Sequence, residues 1–170
     1  GPVKIWVDGD AVAFGSSSEV RFREEGLERY SEMESEDFNT NLESGPFTQV
    51  LAKMSAVNAR FPKGEQPFDI ALVTSRGHKS AARAFKIAQD HGIEFNDRMH
   101  FLAGADKASI ISQYSPHIYL DDQVTHLEKT GLYVPAGLVQ HPTGSPMHDY
   151  LGQNATCELQ KMRAIEEQNN

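Results

Sequence analysis

Only one cysteine, Cys157, occurs in the chain. No internal disulfide can form, which suits a reducing compartment and a cytoplasmic location. Cys157 lies in a polar C-terminal stretch, away from every motif described below, so a nucleophilic thiol is not the expected chemistry. No apolar run approaches the ~18 residues that a membrane-spanning helix needs, so no membrane contact is expected. No basic stretch precedes the first strand-like run at Val3, so no secretory leader is expected in these residues. Positive charge is scarce: 16 Lys and Arg stand against 24 Asp and Glu, for a net charge of -8. A binder of duplex nucleic acid needs clustered cations, and that class is excluded. The seven histidines include no pair at a convincing metal-ligand spacing. With 39% hydrophobic and 24% charged residues, what remains is an ordinary globular chain long enough for one domain.

Gly1-Pro2 reads as the remnant of a cleaved tag. Residues 3–7 (VKIWV) form an apolar run ending abruptly at Asp8-Gly9-Asp10, the pattern of a buried strand entering a loop. Residues 15–45 are polar and rich in Ser and Glu. They read as an insertion, either a small cap over a site or a solvated excursion. Gly45-Pro46 opens a helix with Phe47, Val50, Leu51, Met54 and Val57 at helical spacing. Residues 70–73 (IALV) give a second strand, and residues 79–91 a helix with Ala82, Phe85 and Ala88 on one face and Gly92 as its cap. A short third strand is expected at 101–103, a helix at 107–114, a fourth strand at 117–120 (HIYL) and a helix at 123–130 stopped by Gly131. Residues 133–139 supply a fifth strand broken by Pro135. Strand alternates with helix, which predicts an α/β fold: a Rossmann-like parallel sheet with helices on both faces, spanning residues 3–150. Residues 151–170 read as a C-terminal surface helix. Leu159, Met162 and Ile165 form its narrow stripe, which suits packing on the body or a homo-oligomer contact.

Parallel sheets bind ligands at the C-terminal ends of their strands. Asp8 and Asp10 follow strand one, Thr74-Ser75-Arg76 strand two, Lys107 strand three, and Asp121-Asp122 strand four. Together these residues suit phosphoryl transfer. A phosphate dianion repels an attacking carboxylate, and Mg²⁺ between them removes that repulsion. Asp8 is the expected nucleophile and a metal ligand. Asp10, two residues on, is the expected general acid/base and is also a candidate metal ligand. Gly9 leaves the backbone open to the phosphate, Thr74 and Ser75 offer hydroxyl and N–H donors, and Lys107 supplies a point charge. Asp121 and Asp122 complete the metal shell. Alternation along a strand points them different ways, and which one binds directly stays open. Each signal alone is weak, since Asp-x-Asp pairs and Asp or Thr after a strand also cap turns and helices. Their joint order carries the reading.

The four elements, VDGDAV at 7–12, LVTSR at 72–76, Lys107 and IYLDD at 118–122, resemble the motifs of the haloacid dehalogenase superfamily. DGDAVAF at 8–14, Ser18-Glu19, GLERY at 26–30, GPF at 45–47, FLAGADK at 101–107, PHIYLDDQ at 116–123 and VPAGLVQ at 134–140 are similar to the cytosolic 5'-nucleotidase type I family. The resemblance covers roughly residues 3–142. It implies Asp8 as nucleophile, Asp10 as acid/base, Thr74 and Lys107 as phosphate ligands, Asp121 and Asp122 for magnesium, and a nucleoside 5'-monophosphate such as AMP as substrate. Gly15-Ser16-Ser17-Ser18 replaces acidic residues that the family carries there. Phe14 is a candidate to stack on the base, and Arg76 or Gln123 to bond the ribose or base. A phosphatase for another small phosphomonoester and a non-catalytic nucleotide-binding module are the competing readings.

Overall fold

The computed structural model describes residues 1–21, 23–24, 43–77 and 81–154. Its centre is a five-stranded sheet in the order β3-β2-β1-β4-β5, built from β1 (Val3–Val7), β2 (Phe68–Thr74), β3 (Met99–Phe101), β4 (Ile118–Asp121) and β5 (Ala136–Leu138). Every pairing is parallel. The register explains why these runs are apolar throughout. Val7 lies beside Leu72 and Leu120, and Trp6 beside Ala71 and Tyr119. Val7, Leu72 and Leu120 enter one buried cluster, while Trp6, Ala71 and Tyr119 enter another. Both faces of the sheet are therefore covered, as parallel sheets require. On the first face lie α1 (Thr48–Asn58), through Leu51, and α2 (Ala81–Asp90), through Ala84, Ile87 and Ala88. On the second lie α3 (Lys107–Tyr114), through Ile111, and α4 (Val124–Thr130), through Leu127.

Four details depart from the sequence reading. In α2 the buried face is Arg83, Ala84, Ile87 and Ala88. Phe85 is exposed and leans on Phe101, with ring centroids 6.4 Å apart. In α1 the buried residues are Thr48, Leu51, Ser55 and Asn58, with Val50 and Val57 exposed. Strand β3 lies two residues earlier than expected, because Ala103 and Gly104 take positive φ (48° and 84°) and turn the chain towards α3. Strand β5 is only three residues long. Pro135, just before it, has no N–H to give, although its carbonyl accepts from Tyr119 N at 2.9 Å.

The Gly45-Pro46-Phe47 stretch does more than open a helix. It ties α1 to the loop that follows β1. Phe47 N donates to Val12 O at 3.0 Å, Thr48 Oγ1 donates to Ala13 O at 2.7 Å, and Gly45 N donates to Thr48 Oγ1 at 2.7 Å. A Cβ on Gly45 would stand 2.1 Å from Phe14 O, so only glycine permits this approach. Residues 17–21 and 23–24 are helical, and most of the expected insertion, 25–42, lies outside the described residues. Residues 146–154 are helical, whereas Cys157, Leu159, Met162 and Ile165 lie outside the described residues. Among the described residues, no helix is long and apolar enough to cross a membrane.

Leu51 is fully buried and Val50 is 47% exposed on the same helix. Leu51→Ala should cost about 2–5 kcal/mol of unfolding free energy, and Val50→Ala within about 0.5 kcal/mol. Equilibrium denaturation of the two variants checks which face of α1 meets the sheet.

Candidate active site

The C-terminal ends of three adjacent strands and the loop before α3 bring the acidic and basic residues together. Asp8 follows β1 directly, and its backbone N donates to Leu120 O on β4 at 2.8 Å. Thr74 ends β2. The 74–76 segment is cross-tied to the loop after β3: Leu102 N donates to Thr74 O, Ala103 N to Arg76 O and Gly104 N to Ser75 O, at 3.0–3.1 Å. That loop leads into α3. There Asp106 caps the helix by accepting from Ala108 N at 3.0 Å, and Lys107 is the first helical residue. Asp121 ends β4.

Lys107 is the hub. Its side chain is 2% exposed, and its Nζ lies 2.8 Å from both Asp8 Oδ1 and Asp121 Oδ2. Asp121 is hydrogen-bonded at both oxygens. Its Oδ2 also accepts from the Tyr119 hydroxyl at 2.5 Å, its Oδ1 accepts from Gln123 N at 2.9 Å, and His126 Nδ1 stands 3.2–3.3 Å from both oxygens. Asp122 contrasts with it. Its side chain is 2% exposed, Oδ2 lies 3.5 Å from His141 Nε2, and Oδ1 is buried with no hydrogen-bond partner among the described residues. A buried carboxylate oxygen left unpaired is costly and calls for a cation.

The charges agree. One oxygen each of Asp8, Asp121 and Asp122 lie within 4.8 Å of one another. With all three carboxylates ionised, one ammonium leaves two net negative charges, and that excess drives protons onto the cluster when no cation is bound. Burial, with Asp121 adding repulsion, pushes the Asp8 carboxyl up to about 7. Burial and the charges of Asp8 and Asp121 push Asp122 up to about 8. Burial would raise Asp121 too, but the bonds from His126, Lys107 and Tyr119 hold it down at about 2. Lys107 rises above its ordinary value, because its two carboxylate partners outweigh the opposing effect of burial. An all-oxygen donor set with a two-charge deficit fits a hard divalent cation, and the residues present could hold one.

Asp10 stands apart from this group. Its carboxylate is gripped by the Arg76 guanidinium, with Nε to Oδ2 at 2.8 Å and the second nitrogen on Oδ1. The Arg76 side chain is 4% exposed, so the expected ribose or base contact is already committed to Asp10. The backbone turn between Asp8 and Asp10 passes close to β2. A Cβ on Gly9 would meet Thr74 Oγ1 at 3.3 Å. Thr74 is buried, and its Oγ1 accepts from Arg76 N at 3.2 Å, which leaves the hydroxyl proton to donate elsewhere. Ser75 is exposed at the rim. Phe14 departs from expectation: it is 1% exposed and packs edge-on against Phe95 at 6.4 Å, so its ring is core rather than a platform for a base. Gln123 is half-buried, with its N–H already on Asp121.

Three residues at this site escaped the sequence reading. Tyr119 could have been found, because it lies two residues before Asp121 on one strand and therefore shares its face. His126 sits in the first turn of α4, five residues past Asp121, a spacing with no diagnostic value. His141 comes from the segment after β5, with no local signal at all.

The sequence model of a family described as 5'-nucleotidase matches residues 2–145. Human (Homo sapiens) cytosolic 5'-nucleotidase 1B is 33% identical over 131 residues, which covers 74% of this chain and 21% of that protein. The chain thus spans about a fifth of the length of that curated relative. No solved structure matches.

The charge deficit has a measurable consequence for stability. Asp122 keeps its proton in the fold up to about pH 8, against 3.8 for its ordinary value. Between those limits the folded state holds a proton that the unfolded chain has lost, so Asp122 subtracts stability as pH rises. In a chelator, Asp122→Asn should therefore be more stable than the parent at pH 8, with the gap closing towards pH 4. Denaturant midpoints for both proteins across that range check it. A variant less stable than the parent at pH 8 contradicts the electrostatic account.

Proposed function

The chain belongs to the 5'-nucleotidase family, and on that premise we propose that it hydrolyses nucleoside 5'-monophosphates through an aspartyl-phosphate on Asp8. The observation that carries this reading is the buried Asp8–Lys107–Asp121 chain beside an unpaired Asp122 oxygen. In this reading Asp8 and Asp122 would hold Mg²⁺. The ion supplies neutralisation of the phosphate dianion that would otherwise repel the nucleophile. Asp121, saturated by its partners, orients Lys107 rather than binding the metal directly.

Asp8 engages Lys107 through Oδ1, which leaves its other oxygen to attack phosphorus. The P–O5' bond breaks as the new carboxylate–phosphorus bond forms. Once one arm of the Arg76 fork releases it, Asp10 takes up a proton from solvent and gives that proton to the leaving nucleoside oxygen. Asp10 then takes a proton from a water that attacks the phosphorus, and orthophosphate leaves with Asp8 regenerated. Lys107 and the Thr74 hydroxyl bind the non-bridging oxygens, where negative charge concentrates in the transition state. Gly9 keeps this approach open, and the Ser75 hydroxyl is at hand on the rim. The relative's name, cytosolic, supports a cytoplasmic setting. Residues 3–150 act as the catalytic core, with the 15–45 insertion supplying the nucleoside contacts that Phe14 cannot.

Asp8→Asn should lower kcat by at least about a thousandfold while the melting temperature holds, since the nucleophile is lost but the fold is not. Chelation should abolish turnover and added Mg²⁺ restore it. Full activity in EDTA would refute the metal-dependent reading.

Phosphate contacts are shared by every phosphomonoester, so only remote contacts discriminate among substrates. The kcat/KM for AMP should exceed that for glucose 6-phosphate and for a 3'-monophosphate. A sugar phosphate turned over fastest would leave the phosphatase chemistry standing and remove the nucleotidase assignment.

A further inference from the structure

We infer that His141, which lies outside every motif, is a positioning residue that sets which oxygen of Asp122 faces the metal. The inference rests on the metal-dependent reading above. Its Nε2 stands 3.5 Å from Asp122 Oδ2, while Oδ1 of the same carboxylate is buried and unpartnered. One oxygen thus lies at ion-pair distance from the imidazole, and the other has no hydrogen-bond partner among the described residues. Groups that hold a ligand from behind in this way govern metal affinity nearly as strongly as the ligands themselves.

The chain around His141 is built to keep it there. Val139 N donates to Asp121 O at 2.9 Å, which extends the β4–β5 ladder to within two residues of the imidazole. At the far end Met147 is fully buried, and its N–H donates to Ser16 Oγ at 3.1 Å, on the stretch that follows the first loop. Residues 139–147 are therefore pinned at both ends. The His141 side chain itself is only 15% exposed. His126 makes the parallel contact to Asp121, but there the carboxylate is already filled by Lys107, Tyr119 and Gln123. Of these two histidines, His141 is the one whose partner has an oxygen without a hydrogen bond among the described residues.

The test is calorimetric titration of the full chain with Mg²⁺ alone, with melting in chelator as the measure of fold. His141→Leu should weaken Mg²⁺ binding about tenfold or more, the usual cost of losing such a support. Its melting temperature in chelator should stay within about 2 °C of the parent, because no metal is then being positioned. His141→Gln, whose amide nitrogen can reach the position of Nε2, should recover binding to within about threefold of the parent. Asp122→Asn is the reference and should weaken binding at least as much as His141→Leu. If Asp122→Asn loses affinity while His141→Leu binds like the parent, or if His141→Gln is as weak as His141→Leu, the inference is overturned and the metal reading stands. If Asp122→Asn also binds like the parent, the metal reading itself fails. Should His141→Leu unfold in chelator, the shorter amide of His141→Asn replaces it, with the same loss of affinity expected.

Discussion

A single buried ammonium organises this protein's site. Lys107 Nζ touches carboxylates from two neighbouring strand ends, Asp8 after β1 and Asp121 at the end of β4. Bringing two carboxylates and a lysine out of water is costly, and close mutual contact with further hydrogen bonds is what offsets that cost. The fold supplies both. Asp106 caps the helix that presents Lys107, and Tyr119, His126 and the Gln123 N–H occupy the remaining valences of Asp121. With Asp121 so fixed, Lys107 has one place to stand, and Asp8 is held through it.

This arrangement divides the site into two electrostatic parts. Asp10 is neutralised locally by Arg76, from the segment after β2. Asp8, Asp121 and Asp122 share one lysine, and when all three are ionised two negative charges are left without a partner. The first part is an ion pair complete in itself, whereas the second has more carboxylates than cations. Their separation comes from strand order. β1 lies between β2 and β4, so a loop starting at Asp8 can send its next acid towards β2 while Asp8 itself faces β4.

The parallel sheet and the ordered strand-end residues were legible in the sequence, because buried parallel strands are apolar throughout and stop abruptly at polar groups. The runs at 3–7 and 70–73 each end this way. The burial of helix faces was less legible. In α2 a phenylalanine looked like core, yet it packs from outside on Phe101, while two alanines and an isoleucine carry the interior. Phe14 looked like a ligand platform because it follows the first motif. The chain turns there under the clamp from residues 45–48 and drives the ring inward against Phe95. Which of Asp121 and Asp122 is free was unreadable, since the answer depends on Tyr119, His126 and His141 arriving from three different elements. Contacts that arise from tertiary return, as His141 does, leave no spacing to read.

Everything proposed for the site turns on a covalent phosphate on Asp8. Quenching the chain during turnover of AMP with Mg²⁺, reducing with borohydride and mapping the peptides by mass spectrometry tests it directly, because hydride converts an acyl phosphate to the alcohol. The account predicts reduction at Asp8, dependent on both substrate and metal, and none at Asp10, Asp121 or Asp122. Sustained turnover with Asp8 unreduced, or reduction at a different carboxylate, would contradict it.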